Sequence, residues 1–189
     1  MGFYWIMVLG FTKETVMSMI HICSPTAASS VTGIPQNCIQ PNAVDLPIKA
    51  IFAIDTTSMF EIGLNHKKHR VNTLVEPIDG YWNLDAGVYE VVYDFEQMEI
   101  ADDEAGFVIV RSTFNRNGCK LSSGLFDSGF KSNTAAGVLT VCGPTRIEVG
   151  VPVGQFILFK SEMLHRYNGS YGLDANGQPK VDEQRYITE

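Results

Sequence analysis

After residue 43 the sequence becomes a succession of short Val-, Ile-, Phe- and Tyr-rich runs, each cut off by Gly, Asn, Asp or Pro. No other feature constrains the fold as much. Candidate strands are 44–54, 71–76, 87–93, 106–112, 138–142, 146–149 and 155–160. β-Branched and aromatic residues suit a pleated, half-buried surface. Asp79-Gly80, Asn117-Gly118, Ser128-Gly129 and Gly143-Pro144 supply turn chemistry between the runs. No helical segments alternate with them, which argues against a parallel α/β sheet and for a barrel or double sheet. Helical spacing occurs in 12–22, where Thr12 can cap and Val16, Met19 and Ile20 share a face. The Ser-, Pro- and Asn-rich stretch 24–41 reads as a loop.

The chain has 189 residues, enough for one domain with a real core. No internal repeat or second domain is visible. A single domain over 1–189 is expected, with strand, helix and loop in 1–39 and a flexible arm over 166–189. A net charge of −7 argues against a nucleic-acid binder, since phosphate backbones reward basic surfaces. It leaves room for a nucleotide enzyme, which holds phosphates with a few placed groups. Cys23, Cys38, Cys119 and Cys142 lie far apart, so neither a zinc ribbon nor a disulfide scaffold fits. They are expected to be reduced, mostly buried thiols in a reducing compartment. The apolar run 3–11 has no preceding Lys or Arg and is too short to span a bilayer. An edge strand or subunit contact is expected there, in a soluble cytoplasmic protein without a membrane partner. The basic run His66-Lys67-Lys68-His69-Arg70 is taken as a solvated loop. His21 and His165 have no partner at metal-ligand spacing and receive no chemistry.

Chemistry concentrates in Arg111-Ser112-Thr113-Phe114-Asn115-Arg116-Asn117-Gly118 and in Ser123-Gly124-Leu125-Phe126-Asp127-Ser128-Gly129-Phe130. The apolar run ending at Val110 delivers a guanidinium fork and a hydroxyl, which suit phosphate oxygens. Asp127 sits in a Gly-containing turn that can hold its carboxylate rigidly. A fixed carboxylate near a phosphate clamp can orient and deprotonate water. Gly124 and Gly129 let the backbone approach a ligand closely.

These two segments resemble those of the trimeric dUTPases and the related dCTP deaminases: an R-S-S-type phosphate motif, then a G-x-I-D-x-G-[YF]-type hairpin. Gln40-Pro41-Asn42-Ala43-Val44-Asp45-Leu46 resembles the early P-x-S-x-D-L segment of that superfamily, above all of its deaminase-like branch. Leu84-Asp85-Ala86-Gly87-Val88-Tyr89 resembles the strand before the R-S-S motif. Gly150-Val151-Pro152-Val153-Gly154-Gln155-Phe156 resembles G-x-x-I-x-Q-L, and Tyr167-Asn168-Gly169-Ser170-Tyr171 is weakly similar to a C-terminal Y-x-G-x-Y. The resemblance runs from Gln40 to Tyr171.

It implies a mainly β fold, a distorted jelly-roll or β-clip barrel, with the one helix near the N-terminus. It also implies a homotrimer with active sites shared between subunits, and a deoxypyrimidine triphosphate substrate. Arg111, Ser112 and Gln155 would hold phosphates, and Asp127 would activate water at the α-phosphate. Asp45 would hold waters of a bound Mg²⁺. Phe130 would stack on the deoxyribose, Arg116 matches an arginine of the deaminase-like branch, and the backbone near Ser123 and Gly124 would read the base. Deaminases of this superfamily place a glutamate roughly ten residues after the hairpin aspartate, which lands at Gly137 here. No Asp or Glu occurs between Asp127 and Glu148, and the zinc-deaminase signatures are missing. Hydrolysis of dUTP to dUMP and pyrophosphate is therefore the expected activity. Ser132 stands where a glycine is usual, which keeps two alternatives in view. One is a deaminase, or bifunctional enzyme, with a relocated base. The other is a non-catalytic nucleotide-binding trimer.

Overall fold

A computed structural model describes residues 18–182. In chain order its strands are β1 (Met19–Ile20), β2 (Ser30–Thr32), β3 (Val44–Ile54), β4 (Glu61–Ile62), β5 (Lys67–Lys68), β6 (Asn72–Leu74), β7 (Tyr81–Leu84) and β8 (Gly87–Tyr93). They continue as β9 (Gln97–Glu99), β10 (Glu104–Val110), β11 (Lys120–Ser122), β12 (Lys131–Ser132), β13 (Ala136–Val141), β14 (Thr145–Glu148) and β15 (Pro152–Lys160). One five-residue α-helix, α1 (Ser112–Arg116), follows β10, and a single 3₁₀ turn covers Gln36–Cys38.

The principal sheet has eight strands, ordered β1-β15-β3-β8-β13-β11, with β10 also on β15 and β6 also on β3. All its pairings are antiparallel. β15 is the hub: β10 pairs along its length, while β3 and then β1 share its other edge. Three small sheets (β12-β9-β2, β14-β7 and β4-β5) complete the fold. The sheets do not close into a barrel, which corrects that part of the expectation.

The position of the helix is a second correction. Met19 and Ile20, assigned to a helix by their spacing, pair with Phe159 and Leu158 on β15. An exposed row of strand donors and acceptors on β15 outweighs a weak local helical preference. Residues 12–17 and the apolar run 3–11 lie outside the described residues. The helix that does form, α1, is too short to leave a periodic signal.

Apolar side chains of β3, β8, β13 and β15 build the core, with Val44, Leu46, Ile51, Val91, Leu139 and Phe156 all essentially buried. Pro47 faces Pro152 where β3 and β15 slip register, as suits residues that cannot donate to a ladder. Beyond the slip Gln155 stands opposite Asp45, so a bulge sets the alignment of two predicted site residues. The thiols Cys38 and Cys119 are buried, whereas Cys23 and Cys142 are exposed; all four are free. The basic run is only partly a loop. Lys67 and Lys68 form β5 against β4, and Lys67 pairs with Asp182 at 2.6 Å. Beyond Arg166 the chain runs back over its own hairpin as far as Asp182: the Tyr167 N–H donates to the Ser128 carbonyl, and that of Leu173 to Lys131.

Glu104 ties the N-terminal segment to this framework. Its fully buried carboxylate accepts from the Ala28 and Ser29 amides and pairs with Lys160 at 2.8 Å. Burial opposes its ionisation, but the bonds from Lys160, Ser29 and Ala28 outweigh it and hold the pKa at about 2. The folded pKa lies below the unfolded one. The resulting stability is therefore present above about pH 4.5 and is lost as pH falls toward about 2. Glu104→Gln is expected to cost about 2–3 kcal/mol at pH 7. Urea titrations should show the gap between the two proteins narrowing at pH 3; a gap independent of pH would contradict this.

Candidate active site

Two clusters of predicted residues form, at opposite ends of β10. Arg111 leaves the C-terminal end of that strand and is the N-cap of α1. Its Nε pairs with Asp45 Oδ2 at 3.1 Å, and its Nη1 donates to the Pro152 carbonyl at 3.1 Å. Gln155 Nε2 donates to Asp45 Oδ1 at 2.9 Å. Asp45 is 1% exposed, with both carboxylate oxygens engaged. The buried anion fixes the guanidinium, about a third of which stays open to solvent. Three segments far apart in sequence thus present a held cation and an amide at one surface. Ser112 and Arg116, at either end of α1, are exposed beside it.

Asp127 belongs to the other end. Phe126 bridges Gly106, and Ser128 Oγ donates to the Glu104 carbonyl at 2.8 Å. The Phe130 N–H closes the turn on the Asp127 carbonyl, and Gly129 occupies φ +80°, which suits only glycine at low cost. Gly106 and Arg111 are five residues apart along an extended strand, a span of roughly 16 Å. The hairpin that carries Asp127 and the strand end that carries Arg111 are thus set well apart along β10. No contact among the described residues joins Asp127 to Arg111, Ser112 or Gln155.

A cavity of about 430 Å³ runs beside the hairpin. Ser123, Gly124, Leu125, Phe126 and Phe130 line one side, and Ala136 to Val138 of β13 another. Tyr167 and Tyr171 cover it. Ser123 Oγ accepts from the Val108 amide at 2.9 Å, fixing the hairpin against β10. Phe130 is 6% exposed and packs edge-on between Phe126 and Tyr167, with ring centroids 5.4 Å apart in each pair. Three of the predicted substrate-binding residues, Ser123, Gly124 and Phe130, thus share one cavity, while Arg116 lies elsewhere on α1. Asp127 lines a separate groove with Ser128 and 161–169.

Position 137 has no room for a glutamate. A Cβ on Gly137 would overlap the Tyr93 hydroxyl and come within 2.9 Å of the Ser122 carbonyl. That hydroxyl is buried without a hydrogen-bond partner among the described residues, and burial pushes its pKa above the usual tyrosine value. A carboxylate reaches the cavity by another route. Glu90 of β8 stands opposite Val138 of β13 and lines the same cavity. Sequence reasoning missed it. The available signal was a single Glu inside the otherwise apolar run 87–93, where a charge is costly without a purpose. Among the described residues no three His, Cys, Asp or Glu side chains cluster to hold a metal. No helix there is long and apolar enough to cross a membrane.

Comparison with known proteins identifies the family. Residues 21–161 match the dCTP deaminase-like family. A probable deoxyuridine 5′-triphosphate nucleotidohydrolase of Halobacterium salinarum is 29% identical over 150 residues, covering 76% of this chain and 88% of that protein. Its counterpart in Methanopyrus kandleri, likewise named as probable, is 30% identical over 136 residues, covering 70% and 86%. Among solved structures, the 2′-deoxycytidine 5′-triphosphate deaminase of Agrobacterium tumefaciens superposes with a TM-score of 0.51 at 14% identity. That match covers 70% of this chain and 44% of the deaminase, a likeness of fold. The chain belongs to the dCTP deaminase-like family, within the dUTPase/dCTP deaminase superfamily.

Proposed function

We propose that this protein hydrolyses dUTP to dUMP and pyrophosphate, as a homotrimer with each site built from two subunits. The observation that carries the proposal is the Arg111–Asp45–Gln155 cluster, a cation fixed by a buried carboxylate and open to solvent on one side. A fixed guanidinium fork suits phosphate oxygens and needs little reorganisation as charge shifts along the chain. The names of the archaeal relatives favour the same reaction. Gly137, closed to any side chain by Tyr93, favours hydrolysis over deamination from that strand.

In this mechanism Arg111, Ser112 and Gln155 hold the triphosphate of a nucleotide whose base enters the cavity by the hairpin. Asp127 of the partner subunit takes a proton from water, which attacks the α-phosphorus, and pyrophosphate leaves. The return of the hairpin to Gly106, roughly 16 Å of extended strand from Arg111, is what asks for the second subunit. Mg²⁺ keeps several waters and binds mainly through substrate phosphates, which suits a site with no carboxylate cluster among the described residues. Asp45, buried and engaged by Arg111 and Gln155, would act on the ion through the groups it holds, and the ion would offset phosphate charge.

Incubation with dUTP or dCTP and Mg²⁺, followed by separation of products, tests the proposal. It expects dUMP and pyrophosphate from dUTP. Conversion of dCTP to dUTP while dUTP stays intact would contradict it. With Phe130 against the sugar, a ribose 2′-hydroxyl meets an apolar ring, at a cost of about 1–3 kcal/mol. UTP should then be a poorer substrate than dUTP by roughly tenfold or more in kcat/KM; equal use of both would remove Phe130 from that role.

A further inference from the structure

Glu90 is 9% exposed and sits in a strand where Tyr89, Val91, Val92 and Tyr93 are also buried. It belongs to a row that crosses three strands: Glu90 opposite Val138, and Val138 opposite Ser122. Directly paired residues share a face of the sheet, and all three line the cavity beside the hairpin. The Asn72 side chain donates to Glu90 Oε2 and so fixes the carboxylate from the side away from β13. Among the described residues, Glu90 is the one charged side chain lining this cavity. The other walls combine aromatic and aliphatic side chains with Ser122, Ser123, Thr134 and the polar backbone of the hairpin, a lining that suits a flat, neutral ring. The negative charge of Glu90 disfavours phosphate here, whereas Arg111 favours it at the other cluster.

We propose that Glu90 reads the pyrimidine by accepting a hydrogen bond from an N–H on its pairing edge. In uracil that donor is N3–H; in cytosine it is the 4-amino group. A carboxylate accepts only, so a ring with no donor there leaves a buried anion facing acceptors or a methyl group, which is costly. The cavity therefore takes both uracil and cytosine deoxynucleotides and rejects a uracil methylated at N3. This rests on the proposed placing of the nucleotide base at the hairpin, and it adds a side-chain reader to the backbone groups there.

Binding of α,β-imido-dUTP and α,β-imido-dCTP with Mg²⁺, measured by calorimetry on the full chain, separates this inference from the hydrolysis proposal. The two analogues should bind within roughly tenfold of each other, and Glu90→Leu should weaken both by roughly tenfold or more. Glu90→Gln keeps an acceptor oxygen and should recover most of the loss. A purely structural role is excluded by the 3-methyl analogue of the uracil compound. N3 methylation should weaken binding to the unaltered protein roughly tenfold, and to Glu90→Leu by less than about threefold, because the partner is already gone. Equal methylation penalties in both proteins, or normal affinity in Glu90→Leu, would overturn the inference even if dUTP is hydrolysed. If Glu90→Leu does not fold, unchanged binding of the 3-methyl analogue to the unaltered protein still overturns it. Glu90-dependent binding without hydrolysis would instead sink the hydrolysis proposal alone.

Discussion

Replacing Asp127 by Asn is expected to lower the turnover of dUTP by about a hundredfold or more and to leave nucleotide binding largely intact. The substitution keeps the shape of the side chain and removes its ability to take a proton. The turn should survive, since it is closed by the backbone of Asp127 and by Gly129 rather than by the carboxylate. That carboxylate, half-buried, makes no hydrogen bond or ion pair among the described residues, so its charge serves no described fold contact. Steady-state kinetics with dUTP, alongside binding of an imido analogue, measure both halves of the expectation. Near-normal turnover would leave Asp127 as a turn former only.

A second large effect is expected from Arg111→Met, in affinity and in stability together. Losing the guanidinium proposed to hold phosphate should raise KM for dUTP by roughly tenfold or more. The same change leaves the almost fully buried Asp45 with the Gln155 amide as its described partner. Breaking a buried pair strands a charge, and a third of the Arg111 side chain already lies in water, so the discounted cost is on the order of 2 kcal/mol. The stability part can be isolated with the double change Arg111→Met, Asp45→Asn, which removes the stranded charge. Chemical denaturation should show the double variant recovering stability while KM stays high. A double variant as weak in stability as the single one would mean that the Asp45 charge is not what Arg111 compensates.

Length decided which elements were legible beforehand. The candidates 44–54 and 87–93 coincide with β3 and β8, whose Val-, Ile-, Phe- and Tyr-rich runs are long enough to show despite Asp45, Lys49 and Glu90. Two-residue strands such as Glu61–Ile62 and Lys67–Lys68 have no periodicity to detect, because a period of two needs several residues to show. Met19 and Ile20 mislead for a different reason: their conformation is set by a partner some 140 residues away. The site divides in the same way. The order of the motifs marked Asp45, Arg111 and Gln155, and the bulge at Pro47 and Pro152 accounts for their meeting. The distance between Asp127 and Arg111 could not be read, since it depends on which end of β10 the hairpin returns to. Glu90 was hidden for want of register: only the pairing of β8 with β13 puts it in the cavity.

The account depends most on a site made from two chains. Mixing Arg111→Met and Asp127→Asn subunits tests that directly, after co-expression or dissociation and reassembly. Each variant alone lacks one half of every site. In mixed oligomers, some sites combine an intact Arg111 from one subunit with an intact Asp127 from its neighbour. The prediction is that mixed oligomers hydrolyse dUTP far faster than either variant alone. A mixture no more active than the two variants separately, with mixed oligomers demonstrated by mass, would contradict the shared site.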